Sequence, residues 1–199
     1  MKRKSLCAII LLGYLTLAGC APVNSLFELY VKDDKFFDEN LIGEWRQAPE
    51  TAPESDKNMR WVFLRDGDSN VYKCSLGAIG GRGAFFAKAR LVRLGNSLFV
   101  DFQGDTDSIS GEDTAVPYPI IESHAIGRIW IEKEVVRIHF LNDDWVKKEI
   151  KAGKLTLAHA GPDDDPVLNA STAELRKFAL EHADDKEAFS ENYELARLK

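Results

Sequence analysis

Met59-Arg60-Trp61-Val62-Phe63-Leu64-Arg65, followed by Asp66-Gly67-Asp68-Ser69 and then Asn70-Val71-Tyr72-Lys73-Cys74-Ser75-Leu76, is the stretch whose reading decides the fold. Its first seven residues alternate with period two, which puts Trp61 and Phe63 on one face and Val62 and Leu64 on the other. Asp66-Gly67-Asp68-Ser69 supplies a turn because glycine accepts positive φ, so the two flanking runs read as an antiparallel hairpin. Apolar residues on both faces predict a central strand.

The same period continues outward. Residues 84–94 place Phe85, Ala87, Ala89 and Leu91 on one face and Lys88 and Arg90 on the other; Gly95-Asn96 then turns the chain into a strand with Leu98, Val100 and Phe102 inward. Residues 124–132 and 135–141 join across Lys133-Glu134, in a register that sets Ile129 opposite Ile138 and Ile131 opposite Val136. Upstream, residues 40–46 open the domain, and Trp45 is expected to close one end of the core. Gly77 to Gly83 reads as a hairpin connection, and Pro117 and Pro119 keep residues 116–121 irregular or at a sheet edge.

Two helices interrupt the strands. Asn142 or Asp143 caps a helix from Asp144 to Ala152, ended by Gly153, with Trp145, Val146 and Ile150 as its buried stripe. Ser171 and Glu174 have capping-box spacing and open a second helix over residues 172–183, with Leu175, Phe178, Ala179 and His182 on one face. Between them lie a short strand within Lys154 to Ala160 and a loop from Gly161 to Pro166; Tyr193 to Leu198 forms a final extended segment.

The start of the chain carries an address. Lys2, Arg3 and Lys4 precede an apolar run from Leu6 to Leu17, and small residues Ala18 and Gly19 precede Cys20, the layout of a secretory signal. The run is shorter than the roughly 20 apolar residues of a membrane-spanning helix. Leu17-Ala18-Gly19-Cys20 resembles the lipobox of bacterial lipoproteins. That resemblance implies cleavage between Gly19 and Cys20, a diacylglyceryl group on the Cys20 thiol, and an acyl chain, commonly palmitate, on the new amino terminus. Several chains on one residue make a stable anchor. Ala21, where an Asp commonly favours inner-membrane retention, implies by the same resemblance an outer-membrane location facing the periplasm. The expected organisation is a signal peptide over 1–19, a lipidated N-terminus and tether over 20–38, and one β-rich domain over 39–199.

Without Lys2, Arg3 and Lys4 the chain has 23 basic against 32 acidic residues, a formal charge near −9, and its basic groups are short and mixed with acids. Nucleic acid is therefore not an expected partner, because phosphate backbones need a concentrated basic face. Cys7 leaves with the signal and Cys20 is consumed by lipid, so Cys74 alone remains and no internal disulfide is expected. Its alternation with Tyr72 and Leu76 reads it as a buried, inert thiol.

Gly43-Glu44-Trp45 resembles the Gly-x-Trp opening of lipocalin-like barrels. Asp144-Trp145-Val146-Lys147-Lys148, the strand from Lys154-Leu155 and the helix opening Ser171-Thr172-Ala173-Glu174-Leu175-Arg176 are similar to bacterial envelope lipoproteins of unassigned function. Pattern and resemblance together give a mainly β chain with helical additions (α+β), an antiparallel lipocalin-like barrel or curved sheet with a C-terminal helix.

The catalytic and ligand motifs are weak. Asp66 to Asn70 begins like a calcium loop but has Val71 and Gly77 where that loop needs Gly and a bidentate Glu. Asp105-Thr106-Asp107 fails likewise, and Asp163 to Asp165 reads as a solvated loop. Gly77 to Gly83 lacks the Lys-Ser/Thr ending of a phosphate loop. His124, His139, His159 and His182 have no zinc spacing, and His124 and His139 fall out of register across their hairpin. No nucleophile elbow is present. The expectation is thus a non-enzyme with no cofactor and no metal, attached to the membrane by lipid and docking on an envelope protein partner. The alternative is a carrier or sensor for a small apolar ligand, with Trp61, Phe63, Phe85, Phe99, Trp130 and Phe140 lining a pocket.

Overall fold

The hairpin of residues 59–78 supplies two adjacent staves of a closed barrel. The computed structural model describes residues 22–34, 36–48, 59–67, 69–78, 84–105 and 122–198. In chain order these form β1 (Asn24–Ser25), a 3-10 turn (Glu39–Leu41), β2 (Gly43–Gln47), β3 (Met59–Arg65), β4 (Tyr72–Ala78), β5 (Ala84–Leu94), β6 (Ser97–Gly104), β7 (His124–Ile131) and β8 (Val135–Leu141). Helix α1 (Asp143–Lys151), β9 (His159–Ala160), β10 (Val167–Leu168), α2 (Thr172–Glu181) and β11 (Phe189–Arg197) follow.

Strands β2 to β8 run as an antiparallel meander, and β11 pairs with both β8 and β2, closing eight strands into a barrel. The registers follow the sequence pattern: Trp61 faces Leu76 and Phe63 faces Cys74 across β3–β4. Ile129 faces Ile138 and Ile131 faces Val136 across β7–β8. Both residues of such a pair share a face, and successive pairs along the strands alternate between inward and outward. The inward set, including Trp45, Trp61, Phe63, Tyr72, Phe102 and Phe140, makes one core.

A second core lies on the outside of the wall. Val92, Phe99 and Ile126 point outward from β5, β6 and β7, and α1, α2 and the N-terminal segment cover them with Val146, Leu175, Phe178 and Leu29. Asn142 caps α1, accepting from the Trp145 amide, and the Ser171–Glu174 capping box opens α2. Both helices fall within a residue or two of the expected bounds.

Within residues 20–38, read as a tether in which Leu26 to Val31 is apolar enough to dock, Leu29 is fully buried and Asn24–Ser25 pair with β7 and β10. Two expectations are corrected. Strand β3 is not covered on both faces, since Leu64 is 54 % exposed on the outer wall. Of the strand expected within Lys154 to Ala160, only His159–Ala160 is extended in a ladder.

The hairpin turns after β3, β5 and β7 share one end of the barrel, which the 3-10 turn and Trp45 close. Tyr72 Oη accepts from the Asp38 amide (2.8 Å) and donates to the Asp38 carbonyl (3.1 Å), and Phe37 stacks on its ring. The connections after β2, β4 and β6 leave from the other end. The readings of Gly77 to Gly83 and of residues 116–121, and Gly19 and Cys20, lie largely or wholly outside the described residues.

Candidate functional site

The six aromatics expected around a pocket are not gathered in one place. Trp61, Phe63 and Phe140 belong to the barrel interior. Phe99 points outward into the second core, where its ring meets Phe189 at 5.7 Å. Phe85 has inward parity but sits at the end of β5 and is 55 % exposed. Trp130 alternates with the inward Ile129 and Ile131 and so lies on the outer surface.

Inside the barrel the rings occupy the space between the walls. Trp61 meets Phe102 at 6.1 Å and Tyr193 at 5.4 Å, and Phe140 meets Phe102 at 5.6 Å and Tyr193 at 5.7 Å, in tilted or edge-on arrangements. Such a chain of ring contacts across the centre is how a small barrel fills its interior with side chains.

The clefts around Trp130 lie outside. One, of about 330 Å³, includes Phe36, Arg93, Leu98, Arg128 and Trp130 in its walls. A second, of about 210 Å³, includes Trp130, His139, Asp184, Lys186 and Phe189. Trp130 is the wall they share. It is held by neighbours on its own and the adjacent strand: Arg128 lies 4.8 Å over its ring and His139 meets it edge-on at 4.8 Å. Arg93 stacks similarly over Phe36 at 4.2 Å.

Arg128 is 7 % exposed and donates from Nη1 to the Leu98 carbonyl (2.9 Å) and from Nε to the Ala183 carbonyl (3.4 Å). Burial pulls its guanidinium below the usual value, and the Asp184 carboxylate opposes that shift. Burial likewise lowers His139, opposed by a hydrogen bond to the Phe189 backbone and reinforced by Arg137 and Arg128. This face therefore presents aromatic rings and guanidinium planes held in fixed positions, the residue types that anchor protein interfaces.

A buried carboxylate–imidazole pair escaped the sequence reading. Asp101 and His124 meet at 2.7 Å through Oδ1 and Nδ1 on the outer wall of β6 and β7. The other Asp101 oxygen accepts the Leu29 amide at 2.6 Å. Ser25 stands opposite His124 in the β1–β7 ladder, but its hydroxyl donates to the Phe27 carbonyl and accepts the Phe27 amide. The arrangement has the composition of a hydrolytic triad, yet the Ser25 hydroxyl is spent on the Phe27 backbone of its own turn, and Asp101 divides its oxygens between His124 and the Leu29 amide that it holds to the barrel. Its only sequence signal was a polar residue at an outward position in the run Leu98 to Phe102.

Cys74 is buried, and burial pushes its thiol pKa up. At the turn after β3 the Asp66 amide donates to the Val71 carbonyl and Lys73 pairs with Asp66, while Asp68 lies outside the described residues. His124 lies opposite Gln103 and His139 opposite Arg128, so these two histidines are apart. Among the described residues no three His, Cys, Asp or Glu side chains converge as metal ligands would. Searches for related proteins match no family model, no curated protein and no solved structure.

Proposed function

We propose that this chain is a lipid-anchored bacterial envelope protein that acts as a non-catalytic interaction module, docking on an envelope protein through the outer face centred on Trp130. The observation that carries the reading is the division of aromatic residues: ring contacts run across the barrel interior, whereas Trp130, Arg128, Arg93 and Phe36 border clefts open to the outside. A carrier for an apolar ligand would need its space inside the walls. A docking module needs rigid aromatic and arginine anchors on its surface.

Attachment rests on Leu17-Ala18-Gly19-Cys20 behind the apolar run Leu6 to Leu17. Two acyl chains or more on Cys20 would hold the barrel at the membrane permanently.

Site-specific photocrosslinking in the native envelope tests the docking face. A crosslinker at position 130 is expected to give a discrete protein adduct, abolished by Arg128→Ala, whereas one at position 64 on another wall gives none. Native mass spectrometry of the same protein, gently extracted, is expected to show the lipidated chain without a further small molecule. A stoichiometric apolar adduct, with no crosslink at 130, would replace this reading by the carrier one.

A further inference from the structure

Three of the seven large exposed hydrophobic residues among the described ones, Leu26, Phe27 and Val31, fall within six positions near the start of the described chain, at 40–44 % exposure. The segment that bears them is fixed to the barrel. Asn24 and Ser25 pair with β7, and the Leu26 amide donates to the Leu168 carbonyl at 2.8 Å. Leu29 is fully buried with its amide on Asp101. Arg176 of α2 donates to the Leu29 carbonyl (3.1 Å) and to Asp34 (2.6 Å), while Asp34 accepts the Val31 amide. A turn held from both sides presents its outward side chains in a defined position.

The chain length between Cys20 and this turn limits how far the two can separate. Three residues lie between Cys20 and Asn24, and an extended chain spans at most about 3.6 Å per residue, so Cys20 lies within roughly 15 Å of β1. Acyl chains on Cys20 would thus bring the bilayer surface to the part of the barrel where Leu26, Phe27 and Val31 are exposed.

We propose that Leu26, Phe27 and Val31 form a membrane-contacting surface that inserts into the headgroup and acyl boundary of the bilayer holding the anchor, and so sets how the barrel stands on the membrane. This rests on the lipid-anchor reading of Cys20. Exposed aromatic and aliphatic side chains beside an anchored position suit that boundary, where apolar groups leave water without the backbone entering hydrocarbon. The barrel then has two attachments, one through the acyl chains on Cys20 and one formed by its own folded surface.

The test uses the full chain, expressed in a Gram-negative bacterium, purified from membranes and reconstituted in phosphatidylethanolamine–phosphatidylglycerol vesicles. An environment-sensitive fluorophore is attached at Phe27→Cys, at Val31→Cys or, as a control, at Leu64→Cys, with Cys74 shielded by burial. Vesicle flotation and intact mass are read alongside. The expected result is a protein of diacylglyceryl-modified mass that floats, with a blue shift and loss of emission to doxyl-lipids at positions 27 and 31 but not at 64. A lipidated, floating protein whose positions 27 and 31 stay as aqueous as 64 overturns the surface and leaves the anchor standing. A protein that neither floats nor carries the lipid mass overturns the anchor reading, and the surface with it.

Discussion

The guanidinium of Arg197 lies 4.1 Å over the ring of Trp45 while donating from Nε to the Lys133 carbonyl (2.7 Å) and from Nη1 to the Ile42 carbonyl (2.8 Å). Its Nη2 donates to the Asn40 carbonyl. One side chain near the end of the chain therefore ties the 3-10 turn, the start of β2 and the β7–β8 hairpin to the fully buried indole beneath. Arg197→Ala is expected to cost about 1–3 kcal/mol, since three carbonyls lose a charged donor. Trp45→Ala is expected to cost more, about 3–5 kcal/mol. Chemical denaturation of each variant checks the order; an Arg197→Ala chain as stable as the parent would remove the clamp.

Gly43 adopts φ +136°, and a Cβ there would stand 2.6 Å from Arg197 Nη1. Gly43→Ala meets two penalties: a backbone conformation costing on the order of 1–3 kcal/mol for other residues, and displacement of the clamp. In an Arg197→Ala background only the first remains. The two destabilisations, measured in a double-mutant cycle, are expected to sum to more than the loss in the double variant.

Asp101→Ala removes the acceptor of the Leu29 amide and the partner of His124 in one step. A loss of about 1–3 kcal/mol is expected for the orphaned buried donors. Hydrogen exchange should accelerate over residues 23–31 while β3 to β5 stay protected. Uniform acceleration across the barrel would mean that the N-terminal segment does not open as a local unit.

His139 titrates below the ordinary histidine value because of its burial, with Arg137 and Arg128 adding to the shift. The unfolded chain therefore takes up this proton at higher pH than the folded one. The stabilisation from keeping His139 neutral is complete above about pH 6.5 and is progressively lost as the pH falls below that value. In His139→Gln the fall in Tm between about pH 7.5 and about pH 5 should be shallower than in the parent. Superimposable pH profiles would exclude His139 as a contributor.

Cys74 is 4 % exposed, and its thiol is held protonated by burial. Thiol reagents at neutral pH should leave it unmodified in the folded protein and modify it stoichiometrically in denaturant. Rapid labelling without denaturant would place it at an accessible wall.

The strand registers were legible because each hairpin carries its own alternation and its own turn: Ile129 opposite Ile138 needs only residues 124–141. The covering layer was not. Phe99 has outward parity, and elements remote in sequence, among them β11 through Phe189, make it a core residue. Leu64 and Phe85 were misplaced for the converse reason, since alternation tells which face a side chain takes but not whether anything covers it. Leu26 to Val31 is apolar enough to dock, but its partners Asp101 and Arg176 lie 72 and 147 residues from Leu29, so nothing local marks where it packs. Trp130 was expected to line a pocket, although its alternation with Ile129 and Ile131 sends it outward, and its meeting with His139, like that of Arg128 with Ala183, is a property of the closed fold.

The eighth stave, β11, lies about 150 residues beyond the first, and its ladder to β2 joins Leu195 to Gln47 and Arg197 to Trp45. Seven staves can form in order from neighbours, but the ring cannot shut until residues 189–197 arrive. Pairing at so large a sequence separation is slow to nucleate and contributes nothing until it is made. Truncation after α2 would leave β2 and β8 as two bare edges, and a chain stalled short of its end would be open to edge-to-edge aggregation. Residues 189–197 thus act as a checkpoint for assembly, separating closed barrels from open ones.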